Sequence, residues 1–196
     1  MIITSEKPLQ PRILHDYYPT PKEFAQAALN TIRGRKVYTI LDPGAGSGVW
    51  GEAARHIWPG AYIEGVELQE EFEPSPYYNT WYAKDFLTYE ETLDFRMKYD
   101  LIMGNPPFKF DEEFLDKSLN MLALDGMVIF LFRLAFLESQ KRFDRYYIIN
   151  PPVQVVISAN RLSFRGDGKS DDTAYALYYW QKANTNGTKL AWLSWR

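Results

Sequence analysis

Thr39-Ile40-Leu41-Asp42-Pro43-Gly44-Ala45-Gly46-Ser47-Gly48 is the stretch on which the fold turns. An apolar run ends in an acid and then in glycines at alternate positions, and a stretch of helical character, 49–58, follows. Strand, glycine loop and helix in that order bring backbone close to a ligand at the carboxyl end of a parallel strand. The spacing narrows the choice of ligand. A dinucleotide fingerprint needs glycine at the sixth position, and counting from Gly44 that position is Val49. A phosphate-cradling P-loop needs Gly-Lys-Ser/Thr, which is absent. Asp42 would repel an anion, whereas it could hold the cationic amino group of a methionine-type ligand.

Outward from this loop, strand-like runs at 37–41, 62–67, 80–83, 101–103, 127–132, 153–157 and 174–180 alternate early on with helical stretches. The helices are expected from Thr20 onward and over 49–58, 111–124 and 134–147. That alternation predicts an α/β fold with a largely parallel, doubly wound sheet, and the late pair of strands should form an antiparallel hairpin. Thr20-Pro21-Lys22-Glu23 reads as a capping box, and Asp111 as an N-cap. The 196 residues amount to about one domain, and an apolar content of 46% supplies ample core.

A second motif carries the chemistry. Asn105-Pro106-Pro107-Phe108 follows the apolar run 99–103, some sixty residues beyond the glycine loop. Two successive prolines make a stiff platform at a strand end. The Asn105 amide oxygen and a backbone carbonyl, most simply that of Pro106, can each accept one N–H of a planar amine. Phe108 offers a flat face on which a ring can stack. An exocyclic amine on adenine is a poor nucleophile because its lone pair is delocalised into the ring. Two acceptors that draw both hydrogens out of the ring plane localise that pair and aim it at an electrophile, without a strong base. The simpler alternative is that Asn-Pro-Pro only terminates a strand. Glu67, about twenty residues past the glycine loop, is placed to accept ribose hydroxyls; Asp85 and Phe86 follow the next strand and suit an adenine amine and its ring.

Taken together, Tyr18-Pro19-Thr20-Pro21, 41–48, Glu67 with Asp85-Phe86, and Asn105 to Phe108 resemble, in order, the S-adenosylmethionine-dependent adenine-N6 DNA methyltransferases with an N-terminal cofactor segment. The resemblance covers nearly the whole chain. It implies a Rossmann-like methyltransferase fold and a single methyltransferase domain over 1–196. Thr20, Asp42, Gly44 and Gly46 would then face the methionine portion of S-adenosylmethionine, Glu67 the ribose, and Asp85 and Phe86 the cofactor adenine. Asn105, Pro106, Pro107 and Phe108 would hold the target base.

Recognition is the harder question. Basic and acidic residues number 22 and 25, so overall charge offers no general footprint for nucleic acid. From Pro151 onward Arg161, Arg165, Lys169, Lys182, Lys189 and Arg196 outnumber Asp167, Asp171 and Asp172, and Arg133, Lys141, Arg142 and Arg145 precede them, either as a basic side near the catalytic face or as a solvated surface. The glycine-rich segment 161–172 reads as a recognition loop in which Arg161, Arg165 and Phe164 would meet substrate. Larger members of the family add a target-recognition domain, and this chain ends soon after its last strand. The expectation is therefore a minimal form using a short loop, a homodimer or a separate recognition subunit. DNA is the favoured partner and RNA an alternative. A protein glutamine, whose planar amide poses the same electronic problem, is another, and a non-catalytic accessory subunit is the least favoured. The absence of cysteine excludes the thiolate chemistry of cytosine-C5 methylation and thiolate metal sites. No metal is expected. With neither a leader nor a long apolar span, the expectation is a cytoplasmic protein without membrane contact.

Overall fold

The computed structural model describes residues 18–89, 98–164, 172–182, 184 and 186–195. Its elements are α1 (Lys22–Asn30), β1 (Thr39–Pro43), α2 (Val49–Ile57), β2 (Tyr62–Glu67), β3 (Thr80–Ala83), β4 (Tyr99–Gly104), α3 (Asp111–Met121), β5 (Leu122–Arg133), β6 (Gln154–Ser158), β7 (Tyr175–Trp180) and β8 (Lys189–Leu193). Among the described residues the strands form one sheet in the order β3-β2-β1-β4-β5-β7-β6-β8. Every pairing is parallel except those of β7, which runs antiparallel between β5 and β6.

Strand periodicity explains the layers. Ile40, Ile63, Leu101, Met103 and Ile129 point to one face, where α1 and α2 cover them with Phe24, Leu29, Trp50 and Ala54. Leu41, Val66, Ile102, Val128 and Phe130 point to the other, beneath Phe114, Leu115 and Met121 of α3. The sheet is thus wound on both sides, as the alternation of elements predicts. Truncating a fully buried anchor such as Phe24 to alanine would cost about 3–5 kcal/mol.

Several boundaries differ from the sequence reading. β1 begins two residues later than expected, because the Tyr38 and Thr39 N–H groups donate to the Asp100 carboxylate at 2.8 and 3.1 Å. Thr20 does not cap α1. Pro21 takes the boundary position with ψ 137°, and its carbonyl accepts from Phe24 and Ala25. Asp111 is the first helical residue of α3, not its cap, and accepts from the Glu112 N–H at 2.8 Å.

Helix α3 stops at Met121, and Leu122 turns extended to pair with Tyr99. Gly126 then passes so close to the Tyr99 carbonyl that a Cβ would lie 2.6 Å from it. The segment 134–147 is not one helix but a 3-10 turn, a single α-turn and a π-turn. Arg142 draws off the carbonyls that a helix would use, donating to Phe136 at 2.9 Å and Glu138 at 2.9 Å. β8, which lacks a distinct alternating signal, adds an edge strand beside β6 that the sequence reading did not anticipate.

Candidate active site

Strand order places the site. From β1 the chain winds outward through β2 to β3, then returns to the opposite side of β1 as β4. The carboxyl ends of β1 and β4 therefore flank the topological switch point, where open α/β sheets form a crevice. The glycine loop leaves one of these ends, and Asn105 leaves the other.

A cleft of about 840 Å³ opens there, within the range of small-molecule sites. Its walls bring together Thr20, Gly44, Gly46, Glu67, Asp85, Phe86, Asn105 and Pro107 of the residues singled out from sequence. Gly44, Gly46 and Gly48 have φ of 73°, 51° and 82°, conformations that side chains resist. The Val66 carbonyl accepts from the N–H groups of Gly44 and Ala45 at 2.7 and 3.1 Å, which bends the loop over the end of β2. Glu67 then ties the loop down: its carboxylate accepts from Gly46 N–H at 2.7 Å and from Gln69 N–H at 2.8 Å. Thr20 accepts from the Trp50 indole at 3.3 Å, anchoring the segment before α1 to α2. Asp85 accepts from the Leu87 N–H at 2.9 Å, and Phe86 packs on Phe114 with ring centroids 4.9 Å apart.

Asn105 is held from one side only. Its amide nitrogen donates to the Tyr18 carbonyl at 2.7 Å, while its Oδ1 is buried without a partner among the described residues. A carbonyl can only accept, so this contact fixes which end of the amide is which. The Pro107 carbonyl is taken by the Phe110 N–H at 2.9 Å, whereas no backbone donor reaches that of Pro106 among the described residues. On the cleft wall, Asn105 thus keeps an acceptor without a partner among the described residues, while the Pro106 carbonyl, also without a backbone donor, belongs to a buried residue off that wall.

Phe108 is less open than its sequence suggests. Tyr18 and Tyr175 lie against it at centroid distances of 5.2 and 5.5 Å, and the Arg133 guanidinium sits over the ring at 4.9 Å. Phe164, expected in a recognition loop, is buried edge-on against Tyr175 at 4.9 Å and Tyr18 at 5.5 Å. These four rings pack into one cluster, to which the Tyr18 carbonyl ties Asn105. Phe110, exposed and on the cleft with the Lys109 ammonium 5.4 Å over one side of its ring, is better placed than Phe108 for the stacking role that the sequence reading assigned to Phe108. Pro106 is buried beneath the platform. Arg161 is exposed and donates to the Asp172 carbonyl at 3.3 Å; Arg165 lies outside the described residues.

Asp42 is not on the cleft wall. It is fully buried behind the glycine loop, where its Oδ2 accepts from the Tyr78 hydroxyl at 2.6 Å and its Oδ1 has no partner among the described residues. Burial pushes its carboxyl up to about 7, against the opposing pull of the Tyr78 hydrogen bond. Tyr78 was not legible from sequence. It lies in a proline-containing connection between β2 and β3, with no local pattern to mark it.

Part of the basic cluster is neutralised. Glu112 of α3 pairs with Lys141 at 2.9 Å and Arg142 at 3.4 Å, and Arg145 pairs with Asp116. Among the described residues, no group of acidic and histidine side chains could hold a metal ion, and no helix is long and apolar enough to cross a membrane.

No protein-family model matches the chain, and no curated protein matches it by sequence. Solved structures do match in fold. A protein described as a class I S-adenosylmethionine-dependent methyltransferase from Listeria monocytogenes aligns over 92% of this chain and 67% of its own, at TM-score 0.66 and 12% identity. A modification subunit assigned to a type I restriction enzyme of Vibrio vulnificus aligns over 88% of this chain at TM-score 0.60 and 13% identity. This chain spans 45% of that subunit's length. The plantazolicin methyltransferase BpumL, solved with S-adenosylhomocysteine, aligns over 82% of this chain and 81% of its own at TM-score 0.53 and 15% identity. The chain has the Rossmann-like methyltransferase fold.

Proposed function

We propose that this protein transfers a methyl group from S-adenosylmethionine to the exocyclic amine of adenine, with DNA as the favoured substrate. The observation that carries the reading is the orientation of Asn105: its nitrogen is committed to Tyr18, so its unpartnered oxygen is the end left to accept an N–H. The Pro106 carbonyl, which no backbone N–H reaches among the described residues, is the second acceptor in this reading, and a substrate must reach it past a residue that is buried beside the cleft. Holding both amine hydrogens disfavours delocalisation into the ring and raises the reactivity of nitrogen, which is the stabilisation a weak nucleophile needs.

The residues present fit the cofactor. Glu67 closes the far end of the glycine loop with a carboxylate whose remaining lone pairs suit ribose hydroxyls. Asp42 puts a buried acid beside the same loop and off the cleft wall, where its charge would act on a cationic amino group through the loop. When bound, S-adenosylmethionine would supply an electrophilic methyl carbon on a sulfonium, with S-adenosylhomocysteine as the leaving group, for the amine that Asn105 holds. The proton lost from the methylated nitrogen passes to solvent, so no side-chain base is needed.

Of the neighbours in fold described above, one is named a plantazolicin methyltransferase and another a modification subunit of a type I restriction enzyme, and a DNA substrate is compatible with the latter name. Phe110, which lines the same cleft as Asn105, favours a flat ring over an aliphatic amide. On a duplex the adenine must rotate out of the stack, at about a few kcal/mol. The test is transfer of labelled methyl from S-adenosylmethionine to duplex DNA, single-stranded DNA, RNA and a protein extract, followed by mass identification of the product. N6-methyladenine in DNA is expected. The same mark only in RNA would change the substrate, label only in protein would favour glutamine, and no transfer despite cofactor binding would point to an accessory role.

A further inference from the structure

Tyr78 is unusual in how much of the chain makes room for it. A Cβ at Gly51 would lie 2.2 Å from its ring, one at Gly65 2.9 Å, and one at Gly48 3.1 Å. Three glycines, from the loop, α2 and β2, thus form a socket for one side chain. Trp81 closes the socket edge-on at 5.2 Å. From it the Tyr78 hydroxyl donates to Asp42 at 2.6 Å and accepts from the Gly51 N–H at 3.1 Å. A residue of the β2–β3 connection therefore links the acid at the end of β1 to the first turn of α2.

We propose that Tyr78 is a positioning residue for the candidate site: it holds Asp42 behind the glycine loop as the counter-charge to the ligand's cationic amino group, and so makes cofactor affinity depend on pH. This inference rests on the proposed use of S-adenosylmethionine. The loop between acid and ligand is nearly free of side chains, so a charge behind it is felt through little more than backbone. The groups facing Asp42 are Tyr78 from the β2–β3 connection and Glu67 from the end of β2, which oppose one another, while α2 presents the Gly51 N–H. On the β4 side, Gly104 is the neighbour, and a Cβ there would lie 3.0 Å from the partnerless Oδ1.

Burial favours the neutral acid and the Tyr78 hydroxyl favours the ionised one, so the balance falls close to neutral pH. A cationic ligand favours ionisation further. Binding below about pH 7 should therefore release a proton, and affinity should fall as pH is lowered through that range.

The experiment is calorimetric titration of the whole protein with S-adenosylhomocysteine, which carries the same amino group, from pH 5.5 to 9 in ~0.5-unit steps, on wild type, Tyr78→Phe and Asp42→Asn. Tyr78→Phe keeps the ring in its socket and removes only the hydroxyl. Its fall in affinity should begin ~1 pH unit higher, giving roughly tenfold weaker binding near pH 7.5 and near wild-type binding at pH 9. Asp42→Asn should bind weakly with no such fall. A Tyr78→Phe profile superimposable on wild type, or one lowered equally at every pH, overturns the inference, as does a wild-type fall retained in Asp42→Asn. Wild type that binds at no pH removes the cofactor reading and this inference with it. Titration of the Asp42 carboxyl by carbon NMR in the ligand-free protein separates the cases: an upward shift in Tyr78→Phe is expected whether or not ligand binds, and no shift overturns the coupling.

Discussion

The Asn105 side chain and the Tyr18 carbonyl meet at 2.7 Å although 87 positions separate them in the chain. The contact makes the segment before α1 part of the geometry at the end of β4. It commits the amide nitrogen and leaves the amide oxygen without a partner among the described residues. Asn105→Ala should lower methyl transfer by about 10²–10³-fold while cofactor affinity stays within about threefold, read from single-turnover rates and calorimetry. Asn105→Asp keeps an oxygen acceptor but turns a carboxylate towards a carbonyl. It should lose transfer to a similar degree, and near-normal turnover would remove the Tyr18 contact from the account.

Glu67 accepts from two backbone N–H groups with two oxygens. Glu67→Gln places an amide NH₂ against one of those donors. The expected result is a loss of about 1–3 kcal/mol in stability and weaker cofactor binding, measured by urea unfolding with and without ligand. Unchanged stability would mean the loop does not depend on that tie.

Asp42 sets a pH dependence whose sign is defined. In the unfolded chain its carboxyl ionises near the ordinary carboxylate value, and in the fold burial holds it up to about 7. Its contribution to stability is therefore fully present in acid and is lost as pH rises through about 7. Asp42→Asn should match wild type near pH 4 and exceed it by roughly 2–4 kcal/mol at pH 8 in the absence of ligand, by urea denaturation. The fold thus carries an acid whose burial destabilises it at neutral pH.

Gly51 is needed for space. A methyl there would overlap the Tyr78 ring at 2.2 Å, so Gly51→Ala should destabilise by about 1–3 kcal/mol. In a Tyr78→Ala background the same substitution should cost less than half as much, because the clash has gone. A double-mutant cycle measures the coupling, and additive costs would refute the socket.

Much of the fold was legible because its signals are local. The run from Thr39 to Gly48 announces strand, loop and helix within ten residues, and the apolar period of the strands that follow predicts a parallel sheet wound on both faces. Where local pattern misread, a side chain or another strand supplied the hydrogen bonds: Asp100 delays the start of β1, Tyr99 draws Leu122 out of α3, and within the expected helix after β5 the Arg142 guanidinium takes the carbonyls of Phe136 and Glu138.

The sequence by itself determined the chemistry available at the site: an Asn-Pro-Pro-Phe platform, a glycine loop with an acid before it, and a second acid one strand on. Residue type and spacing suffice for that, since each motif needs only its own few residues. Only the tertiary structure decided which of those groups face the cleft and which stand behind it. Asp42 and Phe164 are withdrawn into the core, Phe110 is presented, Phe108 is enclosed by Tyr18 and Tyr175, and Tyr78 reaches Asp42 from another strand's loop. The reason is that burial and hydrogen-bond partnership depend on contacts between residues far apart in the chain, and no window of sequence contains both partners.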